Sequence, residues 1–513
     1  MRDLALTPTL SLKGEGADPS PLPLGGEGQG EWGSPQTRDP LHLAPNVAPG
    51  TGTVGVMLPY TPLHYLLLEP APGFPRALVM TSGNLSEEPI AMENEEALAR
   101  LGGIADLFLL HNREVYARYD DSVWFVPAGG PQPTRRARGY APFPVRLPVS
   151  GPQVLACGPE LKNTFCLTRD AYAFLSPHIG DLENLETLEH FERSIEHYRR
   201  LFRLEPRVVA YDLHPEYLAS KYALGRWGLE AGVTLVGVQH HHAHVAACLA
   251  DNGETGPAIG VAFDGTGYGD DGHIWGGEFL VADLAGYRRA GHLAEFPLPG
   301  GAAAIRRPWR TGLGLLLAAG LDPAAWPGLR GLAGPEAEAV RLQVARGLNT
   351  PLTTSAGRLF DAVAALLGLR GEVTYEAQAA MELEALAATV PGAEGAYPFG
   401  VSLVEGGWVV DWRPMLEAMQ GDLQAGVDAA RVAARFHAGV AAAIGETVRR
   451  IAAEAGLATV ALSGGCFQNR LLVAQTVHGL EAAGLRVLTH RQVPANDGGV
   501  ALGQAAVVLA GNA

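Results

Sequence analysis

The sequence predicts an α/β fold whose strands end in turns suited to a nucleotide and a metal ion. Three observations lead there. Apolar runs of strand length stop at glycine turns: Ile259-Gly260-Val261-Ala262-Phe263 before Asp264-Gly265-Thr266-Gly267-Tyr268-Gly269, and Thr459-Val460-Ala461-Leu462 before Ser463-Gly464-Gly465-Cys466. A third run, Val233-Thr234-Leu235-Val236-Gly237, leads into Gln239-His240-His241-His242-Ala243-His244 and then the small, aliphatic Val245-Ala246-Ala247-Cys248-Leu249. That order reads as a buried strand followed by a packed helix. Residues 305–390 and 413–457 are rich in alanine and leucine and read mostly as helix. Open α/β sheets bind ligands at the carboxyl ends of their strands, which is where the histidines and glycines fall.

In chain order, residues 1–44 are dominated by Gly, Pro, Ser and Leu with no helical or strand period. Such a composition does not offset the entropy of ordering, so a disordered tail is expected. Order is expected from near Val54. Gly55–Tyr60 and Ala77–Asn84 read as strands running into polar turns, Glu95–Leu101 as a short amphipathic helix, and Leu107–Leu110 and Ser122–Val126 as further strands. The turn Thr81-Ser82-Gly83-Asn84 offers a hydroxyl and an amide to a phosphate or carbonyl, and Arg135, Arg136 and Arg138 offer planar donors to oxyanions. Each is equally an ordinary surface turn.

The Pro-rich stretch 142–148 reads as a linker between a unit of residues 45–148 and a larger one of residues 151–513. The larger unit opens with a β-hairpin, Val154–Gly158 and Lys162–Thr168, with Lys162 near its turn. A helix (Leu185–Phe202), a strand (Val208–Asp212) and the histidine stretch follow. A last acidic turn, Asn496-Asp497-Gly498-Gly499, leads into the helix Val500–Leu509. Three glycine turns, two of them carrying a carboxylate, describe a nucleotide cleft: glycines let backbone approach phosphates, and carboxylates hold the bridging metal. The P-loop signature does not occur.

Composition sets the outer bounds. At 513 residues the chain exceeds one ordinary domain, and 47% apolar with 18% charged residues is a globular balance. A formal net charge of −16 argues against a broad nucleic-acid surface. No apolar run is long enough to span a membrane, and the first residues lack a signal-peptide pattern. Cys157, Cys166, Cys248 and Cys466 form no Cys-x-x-Cys pair, so buried thiols in a cytoplasmic protein are expected.

His240 and His244 are four residues apart, so on a helix both rings share one face and can grip one ion. Asp497 ranks first and Asp264 second as carboxylate partners, both standing in glycine turns. Two imidazoles with carboxylates suit zinc or ferrous iron. His241 and His242 point elsewhere on the helix and read as supporting or capping residues.

Taken together, Gln239–His244, Phe263–Gly267, Leu462–Asn469 and Asn496–Gly499 resemble the HypF carbamoyltransferases of NiFe-hydrogenase maturation. So do Met57–His64, Thr81–Ser86 and Arg135–Tyr140, and the likeness runs from about residue 45 to the C-terminus. The resemblance implies the C-terminal part of a YrdC-like α/β domain over 45–148, then a Kae-like domain of the two-lobed actin/sugar-kinase superfold, with lobes of about 151–262 and 263–513. It implies ATP and carbamoyl phosphate as substrates, carbamoyl adenylate as intermediate, and the C-terminal cysteine of the partner HypE as acceptor.

By that resemblance His240, His244, Asp264 and Asp497 hold the metal (iron or zinc, with Mg accompanying the nucleotide), and His240, His244 and Asp264 are catalytic. Ser82, Asn84, Arg136 and Arg138 line the adenylate-forming pocket. Lys162, Gly265, Gly267, Asp361, Glu376, Gly464, Gly465 and Asn469 attend the nucleotide. The family usually has glycine where this chain has Ala377, a departure from close backbone approach there. The family's acylphosphatase-like domain and Cys-x-x-Cys zinc fingers are absent from this sequence and its YrdC-like part is short. A truncated carbamoyltransferase, keeping the transfer half, is the resulting expectation. Two other readings are weighed against it: threonylcarbamoyl transfer to tRNA, which the acidic charge disfavours, and a non-catalytic nucleotide-binding remnant.

Overall fold

The computed structural model describes residue 44 and residues 46–73, 77–127 and 130–511, so the tail expected over 1–44 lies outside it except for its last residue. The chain divides into two compact units, Met1–Thr81 and Ser82–Ala513. In the first, α1 (Pro62–Leu67) starts at Thr61, whose hydroxyl accepts the His64 N–H, and none of its residues is buried. The second unit opens with α2 (Asn94–Leu101) and a two-stranded antiparallel sheet, β1 (Val123–Phe125) and β2 (Gln132–Arg135).

Three expected strands, Gly55–Tyr60, Ala77–Asn84 and Leu107–Leu110, pair with nothing among the described residues and are not strands. Alternation marks a segment that fits a ladder, but a ladder also needs a neighbour. The expected linker is also corrected. Residues 145–151 form β3 (Val145–Gly151), with Val145 and Leu147 buried and Arg146 exposed. Pro148 is tolerated because β3 is an edge strand, where a missing N–H breaks no inner ladder.

The first large sheet runs β3-β5-β4-β6-β7, from β4 (Val154–Ala156), β5 (Cys166–Leu175), β6 (Val208–Asp212) and β7 (Thr234–Val238). Strands β4, β6 and β7 are parallel, and β5 is antiparallel to β3 and β4. The expected hairpin is therefore β4–β5. Helix α3 (Leu185–Phe202), capped by Asn184, seats Phe191, Ile195 and Tyr198 against Phe165, Leu155 and Trp227. Two short elements follow: α4 (Leu218–Tyr222), then α5 (His240–Asp251), the expected histidine helix.

The second sheet contains β8 (Ala258–Tyr268), β9 (Ile274–Ala282), β10 (Tyr287–Leu293), β13 (Gly400–Val404), β14 (Gly407–Asp411), β15 (Thr459–Ser463) and β16 (Arg486–Leu488). The short β11 (Phe296–Pro297) and β12 (Leu352–Thr353) pair beside it. Its central order, β10-β9-β8-β15-β16, repeats the pattern of the first sheet: two antiparallel steps on one side of the lead strand, two parallel on the other. The helices are α6 (Ala302–Arg306), α7 (Pro308–Ala319), α8 (Pro335–Arg346), α9 (Ala356–Leu366), α10 (Gln378–Ala387), α11 (Arg413–Gln424), α12 (Ala429–Ala455), α13 (Arg470–Ala482) and α14 (Val500–Gly511).

Helix α14 crosses back to the first sheet while α5 lies on the second, and the two helices pack on each other. Their approach is close because the residues are small: a Cβ on Gly503 would stand 2.9 Å from the Ala247 nitrogen. Two sheets of one topology joined through this helix pair are the two-lobed actin/sugar-kinase architecture. The crossing matters for the site because it brings α5, β8 and the turn that opens α14 together at the helix pair's amino ends. Among the described residues no helix is long and apolar enough to cross a membrane. Cys157, Cys166 and Cys248 are buried free thiols, and Cys466 is half-buried.

Candidate metal centre and nucleotide turns

Helix α5 begins immediately after β7, and its cap is Gln239, whose side-chain oxygen accepts the His242 N–H at 2.9 Å. The Gln239 amide reaches across to the Tyr268 carbonyl at 3.0 Å, tying the helix start to the end of β8. His240 and His244 then share a face, as the spacing predicts, with ring centroids 4.8 Å apart. Facing them is Asp264, in an irregular step of β8 between Phe263 and Gly267, and Asp497, in the short turn that opens α14.

The four ligand groups lie within 4.8 Å of one another. His240 Nε2 is 3.5 Å from Asp264 Oδ2 and 3.7 Å from Asp497 Oδ1; His244 Nε2 is 3.8 Å and 3.5 Å from the same atoms. These gaps exceed a hydrogen bond. They fit donors around one ion, since tetrahedral ligands at about 2.1 Å from zinc stand about 3.4 Å apart. Both Nε2 atoms are buried without a hydrogen-bond partner, and an unsatisfied buried nitrogen is costly unless something else occupies its lone pair. The donor set is borderline in hardness, suiting zinc or ferrous iron.

Electrostatics agree. Burial alone would lower the His240 pKa, but Asp212, Asp264 and Asp497 outweigh it and hold it well above the ordinary imidazole value. His244 is likewise raised against burial by Asp264 and Asp497. Asp264, though burial pushes its carboxyl up, is held well below the usual range by the two imidazoles. Perturbed groups clustered in this way mark a candidate functional site, and a divalent cation would balance their carboxylates.

The glycine turns stand against this cluster. Gly465 donates its N–H to Asp264 Oδ1 at 2.8 Å, and Gly464 adopts φ +99°. On the other side, Ser355 caps α9 and donates to the Gly265 carbonyl at 2.5 Å, while a Cβ at Gly357 would come within 2.9 Å of Gly265 Cα. Asp361, one turn into α9, is buried and paired with Arg358 at 2.8 Å. Burial pushes the Asp361 carboxyl up and Arg358 opposes it. Lys162 and Glu376 pair with each other.

Some expectations change. The stretch after Phe263 is not a free turn: β8 continues to Tyr268, and the reversal comes at 269–273. At Gly267 the rings of His240 and His241 stand where a side chain would be. Asn469 is occupied by its neighbours, its amide bonded to His437 Nε2 at 2.9 Å and its oxygen capping α13. Ser82 and Asn84 bond each other at 2.6 Å, whereas Arg136 donates to the Tyr140 and Phe143 carbonyls and Arg138 to the Tyr119 carbonyl. Ser82 and Asn84 are thus bonded to each other, while Arg136 and Arg138 each bond separate carbonyls. His241 packs on Trp275, and His242 bonds the Asp283 carbonyl at 2.8 Å.

A residue missed in the sequence is Asp212, which bonds His240 Nδ1 at 2.7 Å. Asp212 ends β6 beside the histidine strand, so the strand-end rule applied to the histidines would have found it.

Residues 149–251 match the family described as "HypF Kae1-like domain", residues 260–504 "Carbamoyltransferase, Kae1-like Domain, second subdomain", and residues 35–137 the Sua5/YciO/YrdC family described as "Telomere recombination". The chain is similar to carbamoyltransferase HypF2 of Cupriavidus necator, 45% identical across 90% of this chain and 61% of that protein. A HypF homolog of the same organism is 42% identical across 69% of this chain and 90% of its own length. A crystal structure of full-length HypF in phosphate- and nucleotide-bound form superposes with a TM-score of 0.85 at 42% identity, covering 91% of this chain and 60% of that one. The chain thus spans about three-fifths of the longer relatives.

Proposed function

From the premise that this chain belongs to the HypF carbamoyltransferase family, we propose that it transfers a carbamoyl group from carbamoyl phosphate, through carbamoyl adenylate made with ATP, to the C-terminal cysteine of HypE. The observation that carries the reading is the adjacency of His240, His244, Asp264 and Asp497 to the Gly464–Gly465 turn, through the Gly465 N–H bond to Asp264. A cation cluster and a backbone that admits phosphates are what an adenylate-handling site requires.

His240, His244, Asp264 and Asp497 would hold the ion, which when bound supplies Lewis-acid charge to phosphate or carbamoyl oxygens. Asp212 keeps the His240 proton on Nδ1 and so leaves Nε2 free to ligate. Gly464 and Gly465 would admit the nucleotide, and Arg358 and Asp361 would flank it from α9. Lys162 and Glu376, paired here, would open to receive it. Ser82, Asn84, Arg136 and Arg138 would serve adenylate formation in the YrdC-like part, over 45–148, with the Kae-like lobes following over 151–262 and 263–513. In the transfer step the acceptor thiolate attacks the carbamoyl carbon of the adenylate and AMP departs, leaving a thiocarbamate.

The test incubates the full chain with ATP, carbamoyl phosphate and HypE, with an acylphosphatase domain added in trans to release carbamate, and reads the C-terminal HypE peptide by mass spectrometry. One added carbamoyl group is expected, lost with His240→Ala or His244→Ala. An unmodified cysteine with loaded, folded protein would overturn the reading, and salt-sensitive tRNA modification would replace it.

A further inference from the structure

The two imidazoles of the cluster have unlike partners behind them. His240 Nδ1 faces a carboxylate, Asp212. His244 Nδ1 faces the hydroxyl of Ser463 at 3.4 Å, and that hydroxyl lies 2.8 Å from Nε2 of His490. Ser463, His490 and His244 are all buried.

Proton positions follow from valence. For His244 to ligate through Nε2, that nitrogen must be bare and the proton must sit on Nδ1. The Nδ1–H then donates to Ser463 Oγ. Ser463 has one hydroxyl proton and two lone pairs; with that proton given to His490 Nε2, His490 carries its own proton on Nδ1, a buried atom without a hydrogen-bond partner. Burial keeps His490 neutral, with a pKa pushed down to about 3. The relay is thus uncharged and directional.

Charge explains the difference between the imidazoles. Asp264 and Asp497 balance one divalent ion, and Asp212 already adds a further negative charge to a buried site. A second carboxylate behind His244 would add another, at the cost that uncompensated buried charge carries. A serine–histidine relay orients the ring without that penalty.

His490 is itself held from the far end of α5. The Asp251 carboxylate, in the last turn of that helix, accepts the N–H groups of Arg491, Gln492 and Val493 at 2.6, 3.0 and 3.4 Å. The helix that presents His240 and His244 therefore also anchors the loop that carries His490 and continues to Asp497. Ser463 in turn immediately precedes the Gly464–Gly465 turn.

We propose that Ser463 and His490 are positioning residues that fix the ring of His244 for metal binding and link that ligand to the nucleotide turn. The proposal rests on the cluster being a metal site, and the experiment separates the two ideas. Zinc affinity of the full chain is measured by chelator competition, alongside the melting temperature of the metal-free protein. Ser463→Ala and His490→Leu should each weaken zinc binding about 10- to 100-fold, the range typical of lost outer partners, while Ser463→Thr keeps the hydroxyl and stays within about threefold. A purely structural role would instead lower the melting temperature and leave the zinc constant of the folded protein unchanged.

His244→Ala is the reference. If it loses zinc while Ser463→Ala and His490→Leu bind within about twofold of the parent, the positioning proposal is overturned and the metal site stands. If His244→Ala binds like the parent, the metal site itself is wrong. Nitrogen-15 NMR of the unaltered zinc-loaded protein decides the matter even if a variant misfolds. His490 protonated on Nδ1 and bare on Nε2 is expected, and the opposite tautomer would overturn the relay.

Discussion

Gly267→Ala separates two explanations of a glycine that the sequence alone assigns to the nucleotide. A methyl group there would stand 2.8 Å from His240 Cδ2 and closer still to His241 Cε1. Carbon atoms rest about 3.5–4.0 Å apart, so the His240 ring would have to withdraw by about 0.7 Å or more. It has little freedom to do so, being wholly buried and bonded to Asp212 at 2.7 Å. Sites that must hold ligands within about 0.5 Å do not absorb such a shift. The expected cost is about 1–3 kcal/mol of stability from overpacking and about a 10- to 100-fold loss of zinc affinity, by chemical denaturation and chelator competition. ATP affinity, by equilibrium dialysis, should stay within about threefold. Gly265→Ala is the control, since its Cβ would meet only Arg358 Nη2 at an ordinary 3.7 Å. Zinc binding left intact by Gly267→Ala, with ATP binding lost, would refute the reasoning.

The raised pKa values of His240 and His244 couple metal binding to protons. In the metal-free protein their protonated forms contribute stability that is full below the unfolded imidazole pKa of about 6.5 and is lost as pH rises through the higher folded values. A metal needs both Nε2 atoms bare, so zinc uptake near pH 7 should release protons and strengthen with pH; calorimetry in two buffers of different ionisation heat counts them, and no buffer dependence would contradict this. Burial lifts the Glu160 carboxyl to about 7, above its unfolded value of 4.5, so ionising it costs stability as pH climbs across that window. Glu160→Gln keeps an acceptor for the Leu218 N–H and should flatten the stability profile there, measured by urea denaturation at several pH values. Ala377 caps α10 at φ +60°, a conformation that costs a side chain about 1–2 kcal/mol, so Ala377→Gly should stabilise by about 0.5–1 kcal/mol in the same assay.

Elements that carry their own determinants were legible in the sequence. Leu185–Phe202 has a capping asparagine before it and an amphipathic face, and its bounds come out as expected. Val208–Asp212 and the histidine helix are equally local. The failures are of another kind. Gly55–Tyr60 and Leu107–Leu110 have strand composition but find no ladder partner among the described residues, and Val145–Gly151 has linker composition but finds an edge to join. Pairing is a property of two segments, and no single window contains it. Strands β9 and β10 fall in a stretch to which no element was assigned.

The site follows the same division. Two histidines four apart announce themselves because helix geometry alone puts them together, and Asp497 stands in a turn whose chemistry is visible, whereas Asp264 sits in an irregular step of β8. What fixes those ligands is not local. Asp212 acts from a strand 28 residues earlier, and Ser463 reaches His244 across 219 positions. Ala377 shows the converse limit. The departure from glycine there was visible as a loss of close approach, whereas the backbone needs glycine's left-handed conformation instead. A residue type thus states which conformations are cheap, and only the fold decides which of them is used. Gly267 makes the point chemically, since the space its missing side chain leaves is taken by the rings of His240 and His241.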